Sequence, residues 1–548
     1  MKRTTTLAIV FLTCISIFAQ SPKHEVRAMW LTTIGGIDWP RTYANNAANT
    51  EKQKRELCHL LDLYKASGIN TILFQTRIRG TMLYPSRLEP WDGCVTGHPG
   101  TSPGYDVLQF AIDETHRRGM ELHAWVVTIP MGKWTGKGCT DLRKTHPELL
   151  KKIGQDGFLD PEHPGTARYL ADVCGEIVSK YDVDGIHLDY IRYPETWKIK
   201  VSRDEGRRNI TAIARTISQR VKSIKPWVKM SCSPIGKYKD LPRHSSHGWN
   251  AYTAVCQDAQ AWLRDGIMDA LFPMMYFKGD QFYPFAADWS QHSYGKMVAP
   301  GLGIYFLWAT EANWPLRTIT QEMEVCRQLG MGHTYFRGKF FTDNAKGIYD
   351  FAKNQFDKTP ALIPPMTWQH ATPPTPPTQM NVKGGTVTWS GAKDRSDAPY
   401  LLYNVYMSRS YPVDTDNPEN LVAMRLTKNE LHLSRNIEAY YIAVTAMDRY
   451  GNESQPLQSH QEQPQITLPD KTEFLPCDGR WVKMPASSKL TDSRMIVVES
   501  LQGIIVATKS LHGDRLNVQG LADGVYQIKS VDRKGNTHRL GYFMKKSK

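Results

Sequence analysis

The stretch with the clearest chemical content is residues 181–194, YDVDGIHLDYIRYP. It turns at Asp184-Gly185, continues as a short strand and ends in polar and aromatic residues. Side chains along a strand alternate between its two faces. Gly185, His187 and Asp189 therefore share one side, and Ile186, Leu188 and Tyr190 the other. A parallel strand buried on both faces reads as a continuous apolar run. A carboxylate and an imidazole on one face fit instead a strand whose polar side lines a cavity. Asp189 is the residue expected to do chemistry, and His187, on the same face, is placed to orient it or titrate beside it.

The elements that would carry this stretch alternate regularly from residue 25 to about 357. Strand-like segments are expected at 26–33, 70–77, 121–128, 185–190, 228–234, 270–277, 297–305 and 332–337. Between them lie helical stripes such as Leu170, Val173, Cys174, Ile177, Val178 and Tyr181, whose 3-1-3-1-3 spacing leads directly into the motif. Eight strands alternating with helices point to an α/β fold of the (β/α)8 barrel type with enlarged loops. An open doubly wound sheet is the alternative, disfavoured because no glycine-rich phosphate loop follows any strand. No cofactor is expected.

Barrel active sites form at the C-terminal ends of the strands. Residues at or near those ends are polar or aromatic: Trp30 on the first strand, Gln75, Arg77 and Arg79 on and after the second, and His123 and Trp125 on the third. Arg192 and Tyr193 follow the fourth strand, Tyr276 belongs to the sixth and Arg337 ends the eighth. Trp30, Tyr84, Trp125, Tyr193 and Tyr276 could offer flat faces to sugar rings.

A net charge of +14 favours anionic partners, but the basic residues are spread out and form no run of the kind that binds nucleic acid. The N-terminus has a basic start (Lys2, Arg3), an apolar run from Leu7 to Phe18 and then Ala19-Gln20-Ser21, which reads as a secretory signal peptide of residues 1–20. An exported protein, periplasmic, surface-bound or secreted, follows, and no later stretch is apolar enough to span a bilayer. Eight dispersed cysteines remain after Cys14, without metal-type spacing, and read as small apolar residues.

Beyond the barrel (25–357) comes a proline-rich linker at 358–379, which includes ALIPPMTWQHATPPTPPTQ and is expected to be extended and semi-rigid. Residues 380–465 resemble a fibronectin type III sandwich through Trp389, YNVYMS and YYIAVTAMDRYGNES. Residues 472–548, with LQGIIVATKS and LNVQGLADGVYQIKS, are similar to the C-terminal β-sandwich sorting domains of secreted Bacteroidetes-type proteins.

The first 350 residues resemble the glycosyl-hydrolase-like family 10, secreted bacterial barrel proteins of which some cleave peptidoglycan glycan strands stripped of their peptides. The resemblance rests on EVRAMWLTT, NTILFQTRIRGTMLYPS, SPGYDVLQFAIDETHRRGMELHAW, LDPEHPGTARYLADVCGEIVSKYDVDGIHLDYIRYP and SCSPIG, in that order. It implies a glycosidase acting on a polysaccharide or peptidoglycan glycan. Family 18 chitinases carry DGxDxDxE on the corresponding strand; here His187 replaces the middle Asp and Ile191 stands where the acid would be. The DGFRxD strand of α-amylase-type enzymes matches with His187 in place of Arg, so that Asp189 could be a nucleophile or base, but the Glu acid expected at strand five is missing from MSCSPIG.

Glycoside hydrolysis takes two carboxyl groups, so a partner for Asp189 must come from another loop. Asp280 is the leading candidate; Glu311, Glu89 and Asp92 are alternatives. Two other functions stay open: a non-catalytic glycan-binding or scaffold protein, and metal-assisted hydrolysis by His123, His187 and Asp189, for which no HxH or HExxH pair exists.

Overall fold

The computed structural model describes residues 21–433, 437, 440–459, 474–486, 493–501, 505–510, 513–532 and 536–546; the expected signal peptide lies outside them. Eight parallel strands form the core: β1 (Arg27–Leu31), β2 (Thr71–Arg77), β3 (Glu121–Val127), β4 (Gly185–Asp189), β5 (Lys229–Cys232), β6 (Ala270–Leu271), β7 in two pieces (Met297–Val298 and Gly301–Gly303) and β8 (His333–Phe336). Strands β1 to β6 pair in order. The first piece of β7 pairs with β6 and the second with β8, which pairs back to β1 with His333 beside Arg27. The ring is closed, so this is a (β/α)8 barrel and not an open sheet. Strands β6 and β7 are shorter than the apolar runs suggest because Pro273 and Pro300 bring no N–H to the ladder. A bridge between Met274 and Gly301 carries the pairing past both interruptions.

The main helices are α1 (Ala47–Ala66), α2 (Val107–Arg117), α3 (Pro164–Lys180), α4 (Arg203–Ile224), α5 (Ala259–Arg264), α6 (Tyr283–Gln291) and α7 (Leu316–Gln328). Asn46, Asp106 and Ser202 cap α1, α2 and α4 by accepting from backbone N–H groups of the first turn. The stripe Leu170, Val173, Cys174, Ile177 and Val178 is fully buried against the barrel. The eight cysteines among the described residues are free thiols, six of them buried.

An insert after β3 was not evident in the sequence pattern. Pro130–Lys133, Leu150–Ile153 and Asp156–Leu159 form an antiparallel sheet, with the helix Lys137–Thr145 between its first two strands in the chain. The two-residue turn Gly154-Gln155, with Gly154 at φ 58°, is a hairpin signal that could have revealed it.

Two antiparallel β units follow. The first packs a sheet of Thr378–Lys383, Thr386–Ser390 and Glu430–His432 on one of Leu421–Leu426, Leu402–Ser408, Tyr441–Met447 and Leu457–Gln458, with Val387, Trp389, Val405 and Val444 in their common core. The second has its own core around Val498, Leu516 and Ile528. The proline-rich stretch does not run free. Leu362 exchanges backbone hydrogen bonds with Lys23 and Glu25, Met366 is fully buried, and Trp368 donates to Asp269 at 2.9 Å. No helix among the described residues is long and apolar enough to cross a membrane.

The first β unit seals the N-terminal mouth of the barrel. Arg425 donates to Glu121 (2.9 Å) and Asp184 (2.6 Å), and Arg449 to Asp182 (2.8 Å) and Asp184 (3.2 Å). Burial alone would raise the Asp184 carboxyl, but the charges of His116, Arg425 and Arg449 outweigh it and hold the group well below the usual carboxylate range. One end of β4 is thereby anchored by charge while the other faces the open mouth.

Candidate active site

At the C-terminal ends of the strands lies a cavity of about 620 Å³, bounded by Trp30, Thr32, Gln75, Arg79, Trp125, Asp189, Tyr190, Glu195, Ser233, Tyr276, Phe336 and Arg337, with Lys133, Asp156 and Phe158 contributed by the insert. Its size and its place at the strand ends are those of a ligand site.

Asp189 is the buried carboxyl at its floor. Oδ1 accepts from the Tyr190 N–H and from Ser233 Oγ, both at 2.8 Å, and Oδ2 accepts from Trp125 Nε1 at 3.2 Å. Burial raises the carboxyl above its ordinary value, and these donors and Arg192 offset only part of that rise. Oδ1 has two donors and Oδ2 one, so a proton exchanged with a ligand belongs on Oδ2. The next residue, Tyr190, sits in the left-handed region at φ 53°, a costly conformation for a bulky side chain. That turn aims its N–H back at Oδ1.

Three aromatic side chains form one wall. Tyr276 stacks on Phe336 with centroids 5.2 Å apart and planes at 24°, and Trp30 meets Phe336 edge-on at 5.9 Å. Burial and the nearby Asp189 hold the Tyr276 phenol neutral. The amide oxygen of Gln75 accepts from the N–H groups of Thr33 and Ile34 at 2.9 and 2.8 Å, fixing the loop after β1. Arg79, exposed on the rim, has no ion pair among the described residues. Arg337 is tied to Asp38 at 2.7 Å, and Lys133 to Asp156 at 2.9 Å.

Trp30, Gln75, Arg79, Trp125, Asp189, Tyr276 and Arg337 are thus brought together as the sequence suggests, and seven other candidates are not. Arg77 is buried in a two-point pair with Glu89 and donates to the carbonyls of Val127 and Thr128, which makes it a brace between β2 and β3. Tyr84 donates to Glu176 and packs edge-on against Tyr181, near α3. His123 points toward the closed end, where Nε2 faces Glu121 at 3.1 Å. Tyr193 is buried against Trp197. Arg192 is buried and does not line the cavity; its guanidinium lies 4.3 Å over the Tyr190 ring and 2.6 Å from Glu195. Asp280 is exposed on a short turn outside the cavity and does not face Asp189.

His187 shares the strand face of Asp189 but not its role. Trp30 Nε1 donates to His187 Nε2 at 3.1 Å, and an indole nitrogen can only donate. The imidazole proton must then sit on Nδ1, which donates to Ser231 Oγ at 3.0 Å. Complete burial holds the ring neutral, well below its ordinary pKa. Both nitrogens are occupied below the cavity floor, so His123, His187 and Asp189 do not form a ligand set. The one group of closely spaced metal-type donors among the described residues, Glu25, His333 and Asp357, lies at the closed end of the barrel, where Arg27 and Arg327 pair with its carboxylates.

The carboxylates that do share the cavity with Asp189 are Asp156 and Glu195. Burial alone would raise Glu195, but its hydrogen bond to Arg192 and that cation's charge dominate and hold it below the usual range. Glu195 lies six residues beyond Asp189 on the same loop. The sequence pattern does not single it out, because strand ends and the loops of other strands are where a partner is expected.

The chain matches the model of the family described as glycosyl hydrolase-like 10 over residues 25–201 and 195–305. It is 28% identical over 495 residues to a glycosyl hydrolase of Bacillus subtilis (strain 168), YngK, covering 80% of this chain and 93% of that one. It is 30% identical over 293 residues to the glycosyl hydrolase DigH of Escherichia coli (strain K12), covering 47% of this chain and 67% of the relative. Among solved structures it resembles the glycoside hydrolase domain of PgaB (BpsB) from Bordetella bronchiseptica, at 12% identity and a TM-score of 0.42, over 61% of this chain and 99% of that domain. The matched residues run from before β1 to the end of β7 and include the whole β4 motif, so the chain belongs to the glycosyl hydrolase-like 10 family, and glycoside hydrolysis is the activity this membership supports.

Proposed function

We propose that this protein is an exported glycosidase that cleaves peptide-stripped peptidoglycan strands, with Asp189 as general acid and Glu195 as its ionised partner. The observation that carries the reading is the contrast between two carboxyls that line one cavity. Burial raises Asp189, and Arg192 holds Glu195 down. Carboxyls of one cavity whose pKa values are pushed apart in this way can divide the acid and base roles of glycoside hydrolysis. A proton on Asp189 Oδ2 reaches the departing glycosidic oxygen, while Glu195 attacks the anomeric carbon or activates water against it. The sugar at the cleaved bond stacks on the Tyr276–Phe336 wall.

Arg79 on the rim, with no ion pair among the described residues, supports a carboxylated substrate such as a glycan bearing lactyl groups. The basic start and apolar run of residues 1–20 support export, and the seven-stranded two-sheet unit of 378–458 supports a fibronectin type III-like module. Incubation of the purified protein with stripped glycan strands tests the activity. Oligosaccharide products support it, and intact strands at all pH values from 4 to 9 contradict it. Fractionation of expressing cells tests export, which fails if the protein stays in the cytoplasm.

A further inference from the structure

Of the basic side chains that line the cavity, Lys133 is paired with Asp156 and Arg337 with Asp38. Arg79 is exposed and has neither an ion pair nor a side-chain hydrogen bond among the described residues. Its stem lies across Gly132, where an added Cβ would stand 3.3 Å from Arg79 Cβ and 3.7 Å from its Cδ. Gly132 takes φ 80°, a left-handed conformation that suits glycine, and lines the cavity itself. The guanidinium is carried at the cavity wall with its donors unspent.

A second unspent donor is Tyr190. Continued alternation along β4 would send its side chain to the face opposite Asp189. The left-handed turn at φ 53° brings it to the cavity instead. Strain of this kind persists where the surrounding structure enforces it, and it gathers at functional sites. Arg192 supports the ring, with its guanidinium 4.3 Å from the centroid, and the hydroxyl has no hydrogen bond among the described residues. Burial above all, then the charges of Asp189 and Glu195, raise the phenol above its ordinary pKa, while Arg192 and Arg79 act to lower it. The phenol is therefore a neutral donor, and Arg79 is near enough to act on it electrostatically.

We infer that Arg79 and Tyr190 form a carboxylate subsite beside Asp189, and that this pair makes the protein select glycans bearing a carboxylate next to the cleaved bond. This rests on the glycosidase reading above. A guanidinium fork and a phenol O–H both donate to carboxylate oxygens, and bonds assisted by charge in this way are the strong ones. The acids that line the cavity do not cancel the subsite. Glu195 is paired with Arg192, Asp156 with Lys133, and Asp189 carries the proton it delivers. Because Tyr190 directly follows Asp189 in the chain, the subsite adjoins the point of cleavage. A neutral strand with the same backbone offers these donors no charge.

The test compares peptide-stripped peptidoglycan strands with the same strands after reduction of their lactyl carboxyls to alcohols, using the full chain as wild type, Arg79→Gln and Tyr190→Phe. Both variants should melt with wild type, since Arg79 is exposed and Phe keeps the ring. Wild type should cleave the carboxylated strands with a kcat/KM about tenfold or more above that for the reduced strands. Each variant should lose about tenfold on the carboxylated strands and less than about twofold on the reduced ones. Arg79→Lys should recover part of the loss, because it restores the charge without the fork. Equal wild-type rates on the two substrates, an equal loss on both in either variant, or wild-type kinetics in either variant overturns the subsite while leaving the activity intact. If the wild type cleaves neither substrate, the glycosidase reading fails and the subsite falls with it.

Discussion

Ser233 Oγ lies 2.8 Å from Asp189 Oδ1, so the loop at the end of β5 holds the carboxyl that ends β4. The contact joins neighbouring strands of the ring at the floor of the cavity. It also lowers the Asp189 pKa against the larger effect of burial. Ser233→Ala removes that lowering and raises the pKa further. An acid that must be protonated then stays active to higher pH, so the alkaline limb of the kcat/KM profile should move up. Were Asp189 the base, the acid limb would move instead. The pH profile of the variant separates the two.

Glu195 is assigned as the ionised carboxylate because Arg192 holds its pKa below the usual range. Glu195→Gln keeps the shape and removes the charge. The expected result is a fall in kcat of about 10²-fold or more, with loss of the acid limb and little change in KM. Asp280→Asn, an exposed site outside the cavity, should leave the kinetics as they are. The reverse pattern in these two variants would restore Asp280 as the partner.

Arg449 and Asp184 are each 2% exposed, and removing one leaves the other's charge buried with fewer partners. Arg449→Met should destabilise the protein by on the order of 3 kcal/mol at neutral pH. The Asp184 carboxyl is depressed, so its contribution is present above its ordinary pKa of 3.8 and is lost as pH falls through its lower folded value. The deficit of the variant should therefore shrink below about pH 4. Thermal melts at pH 7 and pH 3.5 measure both points.

Glu322 on α7 is fully buried, and neither carboxylate oxygen has a hydrogen-bond partner among the described residues. Burial pushes its pKa up to about 9. Here the folded state holds a proton that the unfolded state releases, so stability falls as pH rises from 4.5 toward 9. At pH 7 the cost is roughly 3 kcal/mol. Glu322→Gln removes this dependence, and its melting temperature should exceed wild type by a margin that grows from pH 5 to pH 8. A constant margin would mean that Glu322 does not titrate in this range.

Much of this architecture is legible in the chain itself. Helical stripes such as Leu170 to Val178 and apolar strand runs give the closed ring its order, because burial against a barrel enforces both periods. Strand alternation places Asp189 correctly at the cavity floor. The same alternation misleads for His187 and His123, since it gives the face of a side chain but not its depth along the barrel axis. It cannot show that an indole from β1 occupies His187 Nε2. Arg77 and Tyr84 carry polar groups that Glu89 and Glu176 satisfy, pairings that exist only once distant segments meet. The seal made by Arg425 and Arg449 lies more than 200 residues from the aspartates it binds, and no local pattern announces it.

The central claim is that the Asp189 carboxyl transfers a proton during glycosidic cleavage, and Asp189→Asn tests it most directly. The amide keeps the size of the side chain, so the variant should melt close to wild type. On peptide-stripped glycan strands its kcat should fall by about 10²–10⁴-fold. A folded Asp189→Asn protein that cleaves these strands at the wild-type rate would contradict the account.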